Sequence, residues 1–267
     1  MKKHIFLLGL MALAALAAAK GQTPFRVTHI ALSDSTKGVI IRIAADYPRE
    51  GDEPLLTNAR RAILARLGYP QAQPAADPSR ALTPVADAYK KELRAAFEEF
   101  QQALDETSAP GDTLQQDYHF TFESSATIHY QSAKVLTYRY QAYTFAGDAH
   151  GMQTELYYTL DRNTGKELLW DDLFETGAKR EALAGLVRKA LVEQFYKPLG
   201  TAPAFDEAPD MFSFALPQLQ PAFVKEGIIF KYAPYEIDSY AAGMPECTLS
   251  YAAAAPYLTE KAKSLIP

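Results

Sequence analysis

The sequence predicts an α+β fold: antiparallel sheets with helices packed on one side, arranged as two small subdomains. Three observations predict it. Apolar and polar residues alternate with period two in 26–47 and again in 116–160. Apolar residues recur at helical spacing in three other stretches, opening near 52, 83 and 178. Strands and helices come in runs, not one by one, which is the order of an α+β chain and not of a doubly wound sheet.

The chain has 267 residues, 48% hydrophobic and 22% charged, with 14 glycines and 17 prolines. That composition excludes long-range disorder and collagen-like repeats. A single cysteine, Cys247, excludes a disulfide framework and a cysteine-cluster zinc site.

Residues 1–21 read as a cleavable signal peptide. Lys2 and Lys3 precede a 15-residue apolar run, 5–19, and small residues follow. The run is short of the roughly 20 residues of a spanning helix, so no stable membrane anchor is expected after cleavage. No cysteine lies near the cleavage region, so lipid attachment is not expected. The implied location is the periplasm or the exterior. Removing three lysines leaves 24 basic against 32 acidic residues, a net charge of −8. No basic stripe with interleaved aromatics remains, which excludes a nucleic-acid partner of the usual kind and favours a cationic one.

The expected domains are 22–112 and 113–267. In the first, 26–33 and 38–47 read as paired strands joined by a turn at Asp34–Gly38. Asp52 is the expected N-cap of a helix whose stripe is Leu56, Ala59, Ile63 and Leu67. Residues 68–84 read as a loop. Thr83 and Pro84 then open a long helix. Its apolar positions are Val85, Tyr89, Leu93, Phe97, Phe100 and Leu104, with Lys90, Lys91, Arg94, Glu98 and Glu99 on the expected solvated face.

In the second domain, Tyr118, Phe120 and Phe122 share a strand face, as do Leu136, Tyr138 and Tyr140, then Leu156, Tyr158 and Leu160. Asn163-Thr164-Gly165 is a turn. A helix over 178–196 presents Leu183, Val187, Leu191 and Phe195. Lys225-Glu226-Gly227 is a hairpin turn, 245–251 the last strand, and a short helix near 254–264 closes the chain.

Two loops gather polar groups. In the first, Gly147 and Gly151 flank Asp148 and His150. These two could serve as a general base with its orienting carboxylate, or as two metal ligands, or His150 could simply bond backbone. The second loop brings Tyr235, Glu236, Asp238 and Tyr240 within six residues. It is either a carboxylate pair with separated acidities or a rigid aromatic bend whose carboxylates cap backbone N–H groups. No G-x-S-x-G, H-E-x-x-H, phosphate-binding or dinucleotide-binding motif occurs, and nothing calls for a cofactor or a metal.

At these segments the chain resembles the extracytoplasmic domain of unknown function shared by RsiV-type anti-sigma factors and PdaC-type peptidoglycan deacetylases. The residues that carry the resemblance are Phe145-Ala-Gly-Asp-Ala-His-Gly151, Asp161-Arg-Asn-Thr-Gly-Lys166, Asp172-Leu-Phe174 and Pro234-Tyr-Glu-Ile-Asp-Ser-Tyr-Ala-Ala-Gly243. They keep the family's order and spacing over 115–252, with 25–112 similar to the family's N-terminal companion. Ala146, Asp148 and Asp238 depart from the pattern.

The resemblance implies two small α+β units, the second similar to a subdomain of the actin-like ATPase fold. It also implies an envelope location. In the anti-sigma members such a domain binds lysozyme, and in the deacetylases it precedes the catalytic domain. The implied function is a non-catalytic envelope module that recognises a lysozyme-like cationic protein or a peptidoglycan fragment. The candidate contacts are Gly147, Asp148, His150, Gly151, Tyr235, Glu236, Asp238 and Tyr240. The alternative is a cell-wall or glycan hydrolase using Asp148 and His150 with Glu236 and Asp238.

Overall fold

The computed structural model describes residues 23–36, 38–107 and 118–267, together with the backbone of 4–6. Apart from those three residues, the expected signal segment 1–21 lies outside this range. Among the described residues no helix is long and apolar enough to cross a membrane.

The fold is mixed α+β. Five long strands form the larger sheet in chain order: β2 (Arg26–Thr36), β3 (Val39–Glu50), β4 (Phe120–Gln131), β5 (Val135–Phe145) and β6 (Met152–Asp161). The three-residue β1 (His4–Phe6) pairs antiparallel with Ala31–Ser33 at the β2 edge. A second sheet holds β7 (Ala222–Val224), β8 (Gly227–Lys231) and β9 (Glu246–Ser250), antiparallel throughout.

The expectation of purely antiparallel sheets needs one correction. β3 and β4 pair in parallel, from Val39 opposite Phe120 to Ala45 opposite Ala126. A parallel pair needs a long crossover, and here both helices lie between the two strands: α1 (Leu55–Arg66) and α2 (Thr83–Thr107).

The chain divides into two compact units that are not consecutive stretches. Unit 1 is Met1–Thr127 with Tyr140–Gln153, and unit 2 is Ile128–Arg139 with Thr154–Pro267. The expected boundary near 112 therefore does not separate them, because 118–127 and 140–153 pack with the first unit. β4, β5 and β6 each give one end to either unit.

In unit 1 the inward rows of β3 (Val39, Ile41, Ile43, Ala45, Tyr47) and β4 (Phe120, Phe122) are buried with Ala59, Ile63 and Leu67 of the α1 segment and Val85, Leu93 and Phe97 of α2. Tyr89 stacks on Phe122 with ring centroids 3.5 Å apart, and Phe97 meets Phe120 edge-on at 5.3 Å. Two local expectations change. Asp52 does not cap α1; its carboxylate accepts from Thr23 N, and Glu53 accepts from the amide and hydroxyl of Thr57 instead. Lys90 is not solvated; it is buried and donates to Asp34 at 2.5 Å.

Unit 2 builds its core from α3 (Trp170–Leu173), α4 (Ala178–Leu191) and the small sheet, with Phe174, Leu183, Val187, Leu191, Phe223, Phe230 and Tyr232 all buried. Here the period-two alternation of β5 and β6 stops. Val135–Tyr138 and Tyr157–Leu160 are buried on both faces. Thr137 and Thr159 bond each other and the backbone of Phe223, and Tyr157 packs in a second cluster with Ala222, Val224 and Ile229. Beyond α4 the helix loosens into a π turn over Val192–Tyr196. The wider turn shifts the phase of the stripe, so Tyr196 is fully buried while Phe195 packs partly buried against the same core.

Candidate functional site

The two expected loops fall in different units. The first, 146–151, joins β5 to β6 in unit 1. Gly147 has φ +89°, and a Cβ there would stand 3.1–3.2 Å from the rings of Phe120 and Phe100. At Gly151 a Cβ would come within 2.3 Å of the Tyr143 ring, so a side chain there would push that half-exposed ring aside. The two glycines thus press the loop onto aromatic rings while Asp148, Ala149 and His150 stay exposed. His150 Nδ1 donates to the Gly151 carbonyl at 3.1 Å, the backbone-bonding arrangement among those expected. Among the described residues no three His, Cys, Asp or Glu side chains gather as metal ligands, so the two-ligand arrangement gains no third.

The second loop, 232–243, lies in unit 2 and is pinned by its own carboxylates. Glu236 accepts from Gln218 N at 2.7 Å through one oxygen and from Ala233 N at 2.8 Å through the other. Buried Asp238 accepts from Ser239 N at 2.7 Å and Ala204 N at 3.2 Å. Each carboxylate is therefore committed to two backbone amides, a structural use of the charge. Burial, and then the neighbouring Asp238, push the Tyr196 hydroxyl well above the usual tyrosine range. Ile237 anchors the bend at 1% exposure.

The bend presents its tyrosines. Tyr235 has φ +65°, and among the described residues no other non-glycine residue has a positive φ. Its side chain is outward, at 53% exposure, and stacks on Tyr240 with centroids 5.5 Å apart and planes 27° apart. A bulky residue in the left-handed region costs energy and persists only where surrounding bonds enforce it. The Glu236 and Asp238 clamps supply that enforcement.

Sequence reading missed a charged cluster in unit 2. Arg139 on β5 donates to Glu155 on β6 at 2.8 Å. Lys231 on β8 contacts Glu155 at 3.0 Å and Glu246 on β9 at 2.6 Å. Burial alone would raise the Glu155 carboxyl, but Arg139 and Lys231 outweigh it and hold it below its ordinary value. The available signal was Lys231 inside the apolar run Gly227-Ile-Ile-Phe-Lys-Tyr232, because a lysine in such a run needs a buried partner.

An aromatic bend in one unit and a glycine-bounded loop in the other mark a two-part α+β protein. Residues 57–153 match the family described as "Deacetylase PdaC", and residues 171–252 match the family described as "Protein of unknown function (DUF3298)". The first match holds the Gly147–Gly151 loop and the second holds the tyrosine bend. No curated protein matches the chain. Among solved structures, it is similar to a DUF3298 family member from Bacteroides fragilis, at 20% identity and a TM-score of 0.70, covering 89% of this chain and 94% of that one. It is also similar to a DUF3298 family protein from Pseudomonas aeruginosa, at 18% identity and 0.57, covering 90% and 96%. At those identities the likeness establishes the fold.

Proposed function

We propose that this chain is an exported, non-catalytic cell-envelope module that recognises a cell-wall glycan through the Tyr235–Tyr240 bend. The observation that carries this reading is the clamped bend that holds Tyr235 exposed at φ +65° and stacked on the half-buried Tyr240. Aromatic faces held rigid stack on the apolar faces of ligands at low entropic cost. The match to a deacetylase-associated domain supports an extracytoplasmic setting and a glycan context.

A second reading, a cationic lysozyme-like protein as partner, draws on the charge of −8 that remains once residues 1–21 are removed. The hydrolase alternative is less favoured, because Glu236 and Asp238 each hold two backbone amides, a structural use of their charge on which the bend depends.

Retention on purified insoluble cell wall tests the reading, with Tyr235→Ala and Tyr240→Ala as variants. The parent chain should be retained, and each variant should lose about tenfold in affinity. Failure of the parent to be retained would sink the glycan reading. Binding to lysozyme that fades as salt rises would move the assignment to the cationic partner.

A further inference from the structure

Unit 1 carries a feature that neither expected loop explains. The face of its sheet turned away from α1 and α2 holds an open groove of about 400 Å³, within the size range of small-ligand sites. Its floor is set by register: Ala31 lies opposite Ala44, and Ala44 opposite Ser125. The next row, Ser33, Arg42 and Glu123, forms one wall, with Arg42 bonded to Glu123. Gln141, Tyr143 and Gln153, from β5 and β6, line the far end. The Tyr143 ring lies against Gly151, where any side chain would displace it. The glycine that closes the motif loop thus seats an aromatic wall of the groove.

We propose that this groove binds a neutral oligosaccharide. Arg42 is bonded to Glu123, so this wall carries no net charge that would favour an ionic occupant over a neutral one. The groove crosses β2 to β6 instead of following a strand edge. An extended peptide lying there would gain no backbone ladder and would leave its N–H and C=O groups unpaired. A sugar has no such backbone. Its apolar ring faces fit the alanine floor and the tyrosine wall, and its hydroxyls meet the serine hydroxyls and glutamine amides. The choice of a saccharide rests on the function proposed above, but the residues belong to the other unit.

The test is a titration of the full chain, with alanine methyls observed by NMR, using chitotetraose as the neutral sugar. Tetragalacturonate and tetra-alanine serve as the charged and peptide comparisons. Saturable shifts of the Ala31 and Ala44 methyls are expected with chitotetraose only. Ser125→Trp, which fills the floor, should weaken them by about tenfold or more. Tyr143→Ala, on the half-exposed rim, gives the same reading if Ser125→Trp does not fold. The groove assignment fails if those methyls stay still at about 10 mM chitotetraose, if the peptide or the charged sugar shifts them equally, or if the shifts survive both substitutions. Cell-wall retention that depends on Tyr235 while the Ala31 and Ala44 methyls do not move would overturn the groove and leave the tyrosine-bend function standing.

Discussion

Tyr235 makes a prediction of unusual sign. Its backbone sits at φ +65°, a region that costs an L-residue about 1 kcal/mol or more and costs glycine almost nothing. Tyr235→Ala keeps that cost and loses the stacking on Tyr240, whereas Tyr235→Gly loses the stacking but relieves the strain. The glycine variant should therefore be more stable than the alanine variant by about 1 kcal/mol in urea unfolding, although glycine is ordinarily the worse residue. An alanine variant equal to or above the glycine variant would show that the bend stores no strain. Lys90 makes a second prediction. Its ammonium and the Asp34 carboxylate are each about one-tenth exposed. Lys90→Met leaves the carboxylate buried without its partner and should cost about 3 kcal/mol, and replacing Asp34 by Leu as well should restore most of it. A loss below about 1 kcal/mol in denaturant titration would mean that water reaches Asp34. The apolar stripe of this helix was legible in the sequence. The role of Lys90 was not, since its position among polar neighbours gives no sign that Asp34, 56 residues earlier, is opposite.

At the scale of elements, the stripes of α1 and α2 and the β2–β3 hairpin follow from local periodicity, except that Leu55 and not the expected Leu56 is buried at the start of α1. Three features are set by partners distant in the chain, and they stay hidden. β3 accepts β4 in parallel across the two helices, a choice of neighbour that no local pattern encodes. The π turn after Leu191 buries Tyr196 fully and leaves Phe195, the expected member of the stripe, only partly buried against the core. The third is the cluster of Arg139, Glu155, Lys231 and Glu246, which joins strands from both sheets within unit 2. This cluster fixes a pH response. The Glu155 carboxyl titrates below its ordinary value of 4.5 in the fold, so on acidification the unfolded chain takes up the proton first. The stability it contributes is complete above 4.5 and is lost as pH falls through the lower folded value. Urea midpoints measured down through that window should fall. In Lys231→Met, one of the two cations that depress Glu155 is gone, so this limb should be shallower. An unchanged slope would show that Glu155 is not the group responsible.

At the scale of the molecule, the order of the chain and the order of its packing differ. A linear reading places a boundary near 112, where a Pro-Gly break follows the long helix. The packing instead assigns Tyr140–Gln153 and everything up to Thr127 to unit 1, and sends Ile128–Arg139 to unit 2. The glycine loop and the tyrosine bend, which read as two parts of one C-terminal domain, thereby belong to separate units. The consequence can be tested by cutting the gene at the expected boundary. A fragment of residues 113–267 keeps β4 but loses β3, α1 and α2. Phe120 and Phe122, at 1% and 3% exposure in the intact chain, would lose the surface that buries them, as would the β4 edge that pairs with Val39–Ala45. Uncovered aromatic side chains beside an unpaired strand edge favour association. The fragment alone should be aggregated, or should lack dispersed amide resonances for 118–127 and 140–153. Supplied together with a fragment of residues 22–112, it should recover them, because β3 and the helices return as a preformed partner. A soluble, monomeric 113–267 fragment with native resonances at Phe120 and Phe122 would show instead that those residues need nothing from the preceding chain, and that the boundary read from sequence is the physical one.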